Sequence, residues 1–166
     1  MNLRIVGTDS IAERFGALAE LRAAGLIRHL GLSNVRPHHL AEARTIAPVV
    51  CAQNMYGTGA SPEQKEFLRI CGEQRIAFVP FCSIAGPGRE GGATADDSRE
   101  VRAVARAHGV SAAQVRLAWA LHQGPHVLVI PGTGGPDHLA QHVAAGALPL
   151  SADELAVLDA LHHENA

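Results

Sequence analysis

Apolar residues recur along the chain in two registers. From Ser10 onward, Ile11, Phe15, Leu18 and Leu21 fall at the spacing of one helical face, and Gly25 follows as a residue suited to end the helix. Short, nearly continuous apolar runs lie at Ile27–Leu32, Val49–Asn54, Ile76–Phe81 and Val127–Ile130. Such runs predict strands covered on both faces. Helical segments alternate with them, beginning with Pro37–Ile46. Ser61-Pro62-Glu63-Gln64 combines an N-cap, a proline at the first helical position and a capping-box Gln, and predicts a helix to about Cys71. Ser111-Ala112-Ala113-Gln114 predicts a second capping box before Val115–Leu121, and Ser151-Ala152-Asp153-Glu154 a third before the last helix. The helix preceding Ser111 is predicted from about Asp97 to His108, ended by Gly109. The alternation predicts an α/β fold with a parallel sheet and right-handed crossovers. Periodicity alone leaves a half-barrel and an open doubly wound sheet equally open. The Gly-rich segment Ala85–Ala95 carries no periodic signal and reads as a loop.

Composition narrows the class. At 47% hydrophobic and 18% charged over 166 residues, the chain reads as a single soluble domain spanning residues 1–166. A net charge of -2 with scattered basic residues argues against a nucleic-acid or anionic-membrane partner. Cys51, Cys71 and Cys82 form no CxxC pair, so reduced thiols are expected rather than a disulfide framework or a zinc site. The N-terminus lacks a signal-peptide pattern, and no apolar run approaches the roughly 20 residues that span a bilayer. The expected location is the cytoplasm.

Two places carry candidate chemistry. Leu26–Asn34 is an apolar run ending in Gly-x-Ser-Asn, after which Arg36-Pro37 opens a helix. A strand that delivers a hydroxyl and an amide to such a loop is a frequent ligand site in α/β proteins, although Ser33 and Asn34 equally suit a helix N-cap. The second place is Ile130-Pro131-Gly132-Thr133-Gly134-Gly135-Pro136, a Gly/Thr loop feeding a helix N-terminus whose free amides and dipole favour an anion. His138 and His142 follow at the spacing of one helical face, but no third ligand stands at telling spacing and no metal site is assigned.

Together with Cys51-Ala52-Gln53-Asn54-Met55-Tyr56 and Val79-Pro80-Phe81-Cys82-Ser83-Ile84-Ala85-Gly86, these segments closely resemble the C-terminal half of the aldo-keto reductase barrel. The resemblance runs from the helix at Ser10 to the C-terminal helix. It implies a partial TIM barrel of about four βα units and a C-terminal helix. It also implies part of an NADP(H) site. Ser33 and Asn34 match the family pair that hydrogen-bonds the nicotinamide carboxamide, and Gln53 matches the glutamine that completes those contacts. Phe81 falls where an aromatic ring stacks on the nicotinamide, with packing of a strand end as the alternative. Ser83 and Ile84 replace the usual Pro-Leu of a loop that lies along the pyrophosphate. Gly132 and Thr133 stand where many members have Lys-Ser, in the loop used for the 2′-phosphate and adenosine. His138, Gln141 and His142 align with an Arg, Glu and Asn of the following helix. Loss of that Arg removes a permanent bidentate phosphate donor, so weak or vestigial NADP(H) binding is expected.

The resemblance implies equally what to expect of catalysis. The family's proton-donating Tyr and its Lys, Asp and His belong to the first half of the barrel, for which the short stretch upstream of Leu26 leaves no room. Tyr56 reads as structural, and the sole lysine, Lys65, falls on a helix. No catalytic residue is assigned, and the chain is expected to be inactive alone, either as a natural half-protein or as a truncated product. Open strand edges imply a homodimer or a complementary half-barrel chain as partner. Two other readings stand beside an oxidoreductase domain: a non-catalytic, self-associating or partner-binding half-barrel, and a recruited isomerase or cyclase using a histidine such as His29.

Overall fold

The computed structural model describes residues 1–84 and 98–161, and the chain forms two compact units. The first comprises Met1–Asn54 with Glu63–Val79, and the second Met55–Pro62 with Pro80–Ala166.

The first unit is built on one parallel sheet. Its strands β1 (Asn2–Arg4), β2 (Leu30–Ser33), β3 (Val49–Gln53) and β4 (Ala77–Phe78) lie side by side in chain order. Helices α1 (Ala12–Ala23), α2 (Pro37–Ile46) and α3 (Pro62–Glu73) follow the first three strands in turn. Parallel neighbours require such crossovers, because the chain must return to the same end of the sheet before each new strand. Leu30, Leu32, Ala52 and Phe78 are buried, as are Phe15, Leu40, Ala43 and Phe67 from the three helices. Phe67 meets Phe78 edge-on, with ring centroids 6.3 Å apart. Residues of the opposite pleat are polar toward the carboxyl ends of the strands: Asn2, Arg4, Ser33, Cys51 and Gln53.

The expected helices are present, and so are the first three expected strands, with shifted ends. α1 stops where predicted, and Gly25 takes a φ of +78° just beyond it. β2 starts at Leu30 rather than Ile27, since Arg28 and His29 are exposed and interrupt the run. The sequence pattern did not predict β1, which is only three residues long and too short to show a periodicity.

The second unit is helical. It holds α4 (Arg99–His108), α5 (Ala112–His122), α6 (Pro136–Ala144), a 3₁₀ turn at Ala145–Ala147, and α7 (Ala152–Asp159). The Ser98 hydroxyl accepts from the Val101 N–H at the start of α4, and Gly109 ends that helix at a φ of +65°. The capping boxes Ser111/Gln114 and Ser151/Glu154 are both formed. Trp119 of α5 is fully buried, stacks on Tyr56 at 5.6 Å, and donates its indole N–H to Asp159 at 2.8 Å.

One expected strand is reduced to a single bridge residue, Val127. Residues 127–130 were predicted to extend the sheet, but the four-stranded sheet does not include them. Val127 is buried, with its N–H turned back to the Gly124 carbonyl, whereas Leu128 and Ile130 are 56% and 50% exposed. An apolar run becomes a buried strand only if a ladder and a covering layer meet it. The Ala85–Ala95 loop and the predicted helix start at Asp97 lie outside the described residues. Among the described residues, no helix is long and apolar enough to cross a membrane.

Candidate functional site

In the first unit, the sequence-predicted Ser33, Asn34 and Gln53 come together at the carboxyl ends of β2 and β3. Ser33 and Gln53 are register partners, and the Asn34 N–H donates to the Gln53 carbonyl at 2.9 Å. Asn34 adopts a φ of +57°, a conformation that short amide side chains tolerate better than most. Its side chain is not a helix cap. The Nδ2 amide donates to the Ile5 carbonyl at 2.9 Å and ties the β2 turn to the chain leaving β1. The residue flanking α2 is Arg36, whose N–H donates to His39 Nδ1 at 3.2 Å. The N-cap reading of Ser33 and Asn34 therefore falls away.

Residues the sequence reading gave no role complete this edge. Asn54 grips the loop after β2 twice: its Oδ1 accepts from the Val35 N–H at 2.9 Å and its Nδ2 donates to the Val35 carbonyl at 2.7 Å. Asn2 donates to Gln53 Oε1 at 3.1 Å and accepts from the Cys51 thiol at 3.3 Å. It reaches both by lying across Gly31, its register partner. A Cβ on Gly31 would stand 2.2 Å from Asn2 Oδ1, 2.5 Å from Cys51 Sγ and 3.0 Å from the Cys51 carbonyl. Burial pushes the Cys51 thiol above its usual range, against the N-terminal charge and the Asn2 contact. One register step further, Arg4, Ser33 and Gln53 form a second row across three strands. Asn54 stood within the quoted Cys51–Tyr56 segment, but Asn2 and Arg4 carried no signal because β1 itself was not foreseen.

The remaining predicted residues lie in the second unit. Phe81 is half-buried and accepts from the Tyr56 N–H through its carbonyl at 3.3 Å. Cys82 then takes a φ of +60°, and the buried Ser83 donates its hydroxyl to the Pro80 carbonyl at 3.4 Å. The Ile84 carbonyl accepts from the largely buried Arg116 at 3.2 Å. These contacts engage the Ser83 hydroxyl and the Ile84 carbonyl within the chain. Gly132 and Thr133 are exposed, and the Thr133 hydroxyl accepts from the Gly135 N–H at 3.1 Å just before α6. On α6, His138 and Gln141 are exposed and His142 is half-buried. Among the described residues, no three His, Cys, Asp or Glu side chains are grouped to hold a metal ion.

Tyr56 has the structural environment expected of it. Its hydroxyl donates to Gln123 Oε1 at 3.2 Å, and burial, followed by the nearby Asp159, pushes its pKa up to about 12. Elsewhere in this unit a groove of about 350 Å³ is lined by Arg99, Val104, Asp153, Glu154 and Val157, and none of the predicted site residues lines it.

Residues 4–163 match the family model described as Aldo/keto reductase family. The chain belongs to that family. It is 38% identical over 171 residues to pyridoxine 4-dehydrogenase of Escherichia coli (strain K12), covering 99% of this chain and 57% of that protein. It is also 32% identical to a methylglyoxal reductase of the same organism, covering 92% of this chain and 54% of that protein. Among solved structures, it superposes on an aldo-keto reductase from Klebsiella pneumoniae in complex with NADP and acetate with a TM-score of 0.80 at 28% identity. That match covers 95% of this chain and 56% of the other. A thermostable aldo-keto reductase bound to epalrestat gives the same TM-score at 29% identity, with 58% of its chain covered. The chain thus spans a little over half the length of these relatives, and its parallel strands and helices form part of an aldo-keto reductase barrel.

Proposed function

We propose that this chain supplies the nicotinamide side of an NADP(H) site in an oxidoreductase, with Ser33, Asn34 and Gln53 holding the carboxamide. The observation that carries this reading is their convergence in the first unit, where Asn34 is fixed by two hydrogen bonds and Gln53 by one from Asn2. Asn2 occupies Gln53 Oε1, so the amide nitrogen of Gln53 is the end offered to a carbonyl acceptor. The Ser33 hydroxyl can donate or accept, which suits a carboxamide with both kinds of group. The Klebsiella relative's complex with NADP supports the assignment. Phe81 is assigned to nicotinamide stacking, and Gly132, Thr133, His138, Gln141 and His142 to the adenosine end. His138 in place of the family's Arg leaves that end without a permanent cation and weak for a 2′-phosphate.

No proton donor is assigned among these groups. Loss of a positioned general acid lowers rates by about 10²–10⁴, so the chain by itself is assigned no efficient carbonyl reduction. Calorimetric titration with NADPH tests the proposal. Saturable binding that Gln53→Leu abolishes while the fold survives supports it, and absence of binding at millimolar NADPH overturns it.

A second reading rests on β1. Among the described residues, β1 has a strand neighbour on one side only. An edge of this kind invites pairing with a second copy or a separate polypeptide. Light scattering across a concentration series distinguishes this binding role: assembly without NADPH binding favours it over the cofactor site.

A further inference from the structure

The polar rows on the sheet hold a charge that the nicotinamide assignment leaves unused. Residues of one strand alternate between faces, so Arg4 shares the face of Asn2, whose side chain reaches Cys51 and Gln53 across Gly31. Leu3 and Ile5, on the other pleat, are half-buried and fully buried. Arg4 is therefore presented beside Ser33 and in the same row as Gln53, at the carboxyl ends of three adjacent strands. Neighbouring strands lie about 4.8 Å apart, so a small molecule seated over Ser33 and Gln53 stands within reach of a long side chain on β1. Arg4 is exposed and makes no ion pair or side-chain hydrogen bond among the described residues.

Around Arg4 the row consists of a small hydroxyl and an amide whose oxygen is already taken by Asn2. No carboxylate stands in the row to neutralise the guanidinium. The Arg4 guanidinium carries only donors and no acceptor atom. What it offers is a planar fork of donors for a carboxylate.

We infer that Arg4 is a specificity-determining residue that binds the carboxylate of an oxo-acid substrate standing over the nicotinamide. The inference rests on the nicotinamide reading and adds the substrate class to it. With the carboxamide held on Ser33, Asn34 and Gln53, the Arg4 fork is the cation of this row available to the second ligand. Neutral carbonyl compounds of the same shape lose this contact.

Titrating the whole chain with pyruvate and with its neutral isostere pyruvamide, at low ionic strength and saturating NADP⁺, tests this. Pyruvate is expected to bind about tenfold or more tightly than pyruvamide, since charge-assisted bidentate pairs are about twice as strong as neutral ones. Arg4→Gln removes the difference and leaves pyruvamide unchanged, whereas Arg4→Lys retains part of it. Equal affinity for the two ligands, or a preference that survives Arg4→Gln, overturns the inference and leaves the nicotinamide site standing if NADP⁺ still binds. A loss of NADP⁺ rather than pyruvate affinity in Arg4→Gln assigns the residue to the cofactor and likewise overturns it. If the wild-type chain fails to bind NADP⁺, the nicotinamide reading fails, and the pyruvate titration repeated without cofactor decides the role of Arg4. An Arg4-dependent preference for pyruvate then upholds anion binding, and its absence overturns it. Arg4 is exposed, so thermal melts of both variants are expected to match the wild type.

Discussion

Asn34 ties the fold together at the place proposed for the carboxamide. Its φ of +57° is costly for most side chains, and its amide ties the β2 turn to Ile5. Asn34→Ala loses that hydrogen bond and places an ordinary Cβ in the left-handed region, at a cost of about 1–3 kcal/mol. Asn34→Gly loses the bond but relieves the conformation, so urea denaturation is expected to rank wild type above Gly and Gly above Ala. A glycine variant less stable than the alanine one would mean that backbone strain plays no part. Gly31 makes a complementary case. A methyl group there meets the Asn2 and Cys51 side chains and stands 3.0 Å from the Cys51 carbonyl, a backbone atom that moves only with its strand. Gly31→Ala is expected to lower stability by about 1–3 kcal/mol, the usual cost of overpacking, and to displace Asn2 from Gln53. A urea midpoint equal to wild type would show that the sheet accommodates the methyl group freely. Ser33, Asn34 and Gln53 could be singled out from their motifs and the structure brings them together, but the partner of each side chain was not legible.

At the scale of elements, the helices were the most legible parts because their signals are local. The Ser111/Gln114 and Ser151/Glu154 capping boxes each satisfy free backbone N–H groups within four consecutive residues, and both form as read. Ser111→Ala is expected to cost about 1 kcal/mol, within the usual range for removing a helix N-cap. Gly109→Ala is expected to cost a comparable amount because the terminating residue sits at a φ of +65°. Thermal melts of the two variants check both values, and an unchanged midpoint in either would show that its terminus is held by other contacts. Strands were less legible. Val127–Ile130 and Val49–Gln53 are alike in apolar content, yet the second forms a ladder while the first pairs at Val127 alone. β4 is reduced to Ala77–Phe78 although the apolar run continues to Phe81, which pairs only as a single parallel bridge to Met55.

For the whole molecule, pH dependence gathers at His39. Burial, then the neighbouring His38, holds its pKa below the usual 6.5, against opposing contributions from the Thr8 and Asp9 backbone and from Glu42. Its Nδ1 accepts from the Arg36 N–H, a bond that protonation at this nitrogen would remove. The unfolded chain takes up the proton near pH 6.5, whereas the folded chain resists until a lower pH. The contribution of His39 to stability is therefore complete above pH 6.5 and is lost as the pH falls from there through the folded value. Urea midpoints are expected to drop between pH 7.5 and 5.5 in wild type and to drop less in His39→Gln. An identical slope in the two proteins would place the dependence elsewhere. The sequence by itself determined the helices, the Ser111 and Ser151 capping boxes and the family, because each of these is written in neighbouring residues or in a run of motifs. Only the tertiary structure decided that β1 exists, that Asn34 bonds Ile5 and that Arg4 stands in a row with Ser33 and Gln53. Those pairings join residues about 20 to 50 positions apart, and strand register depends on which distant segments bury their pleats together rather than on any local pattern.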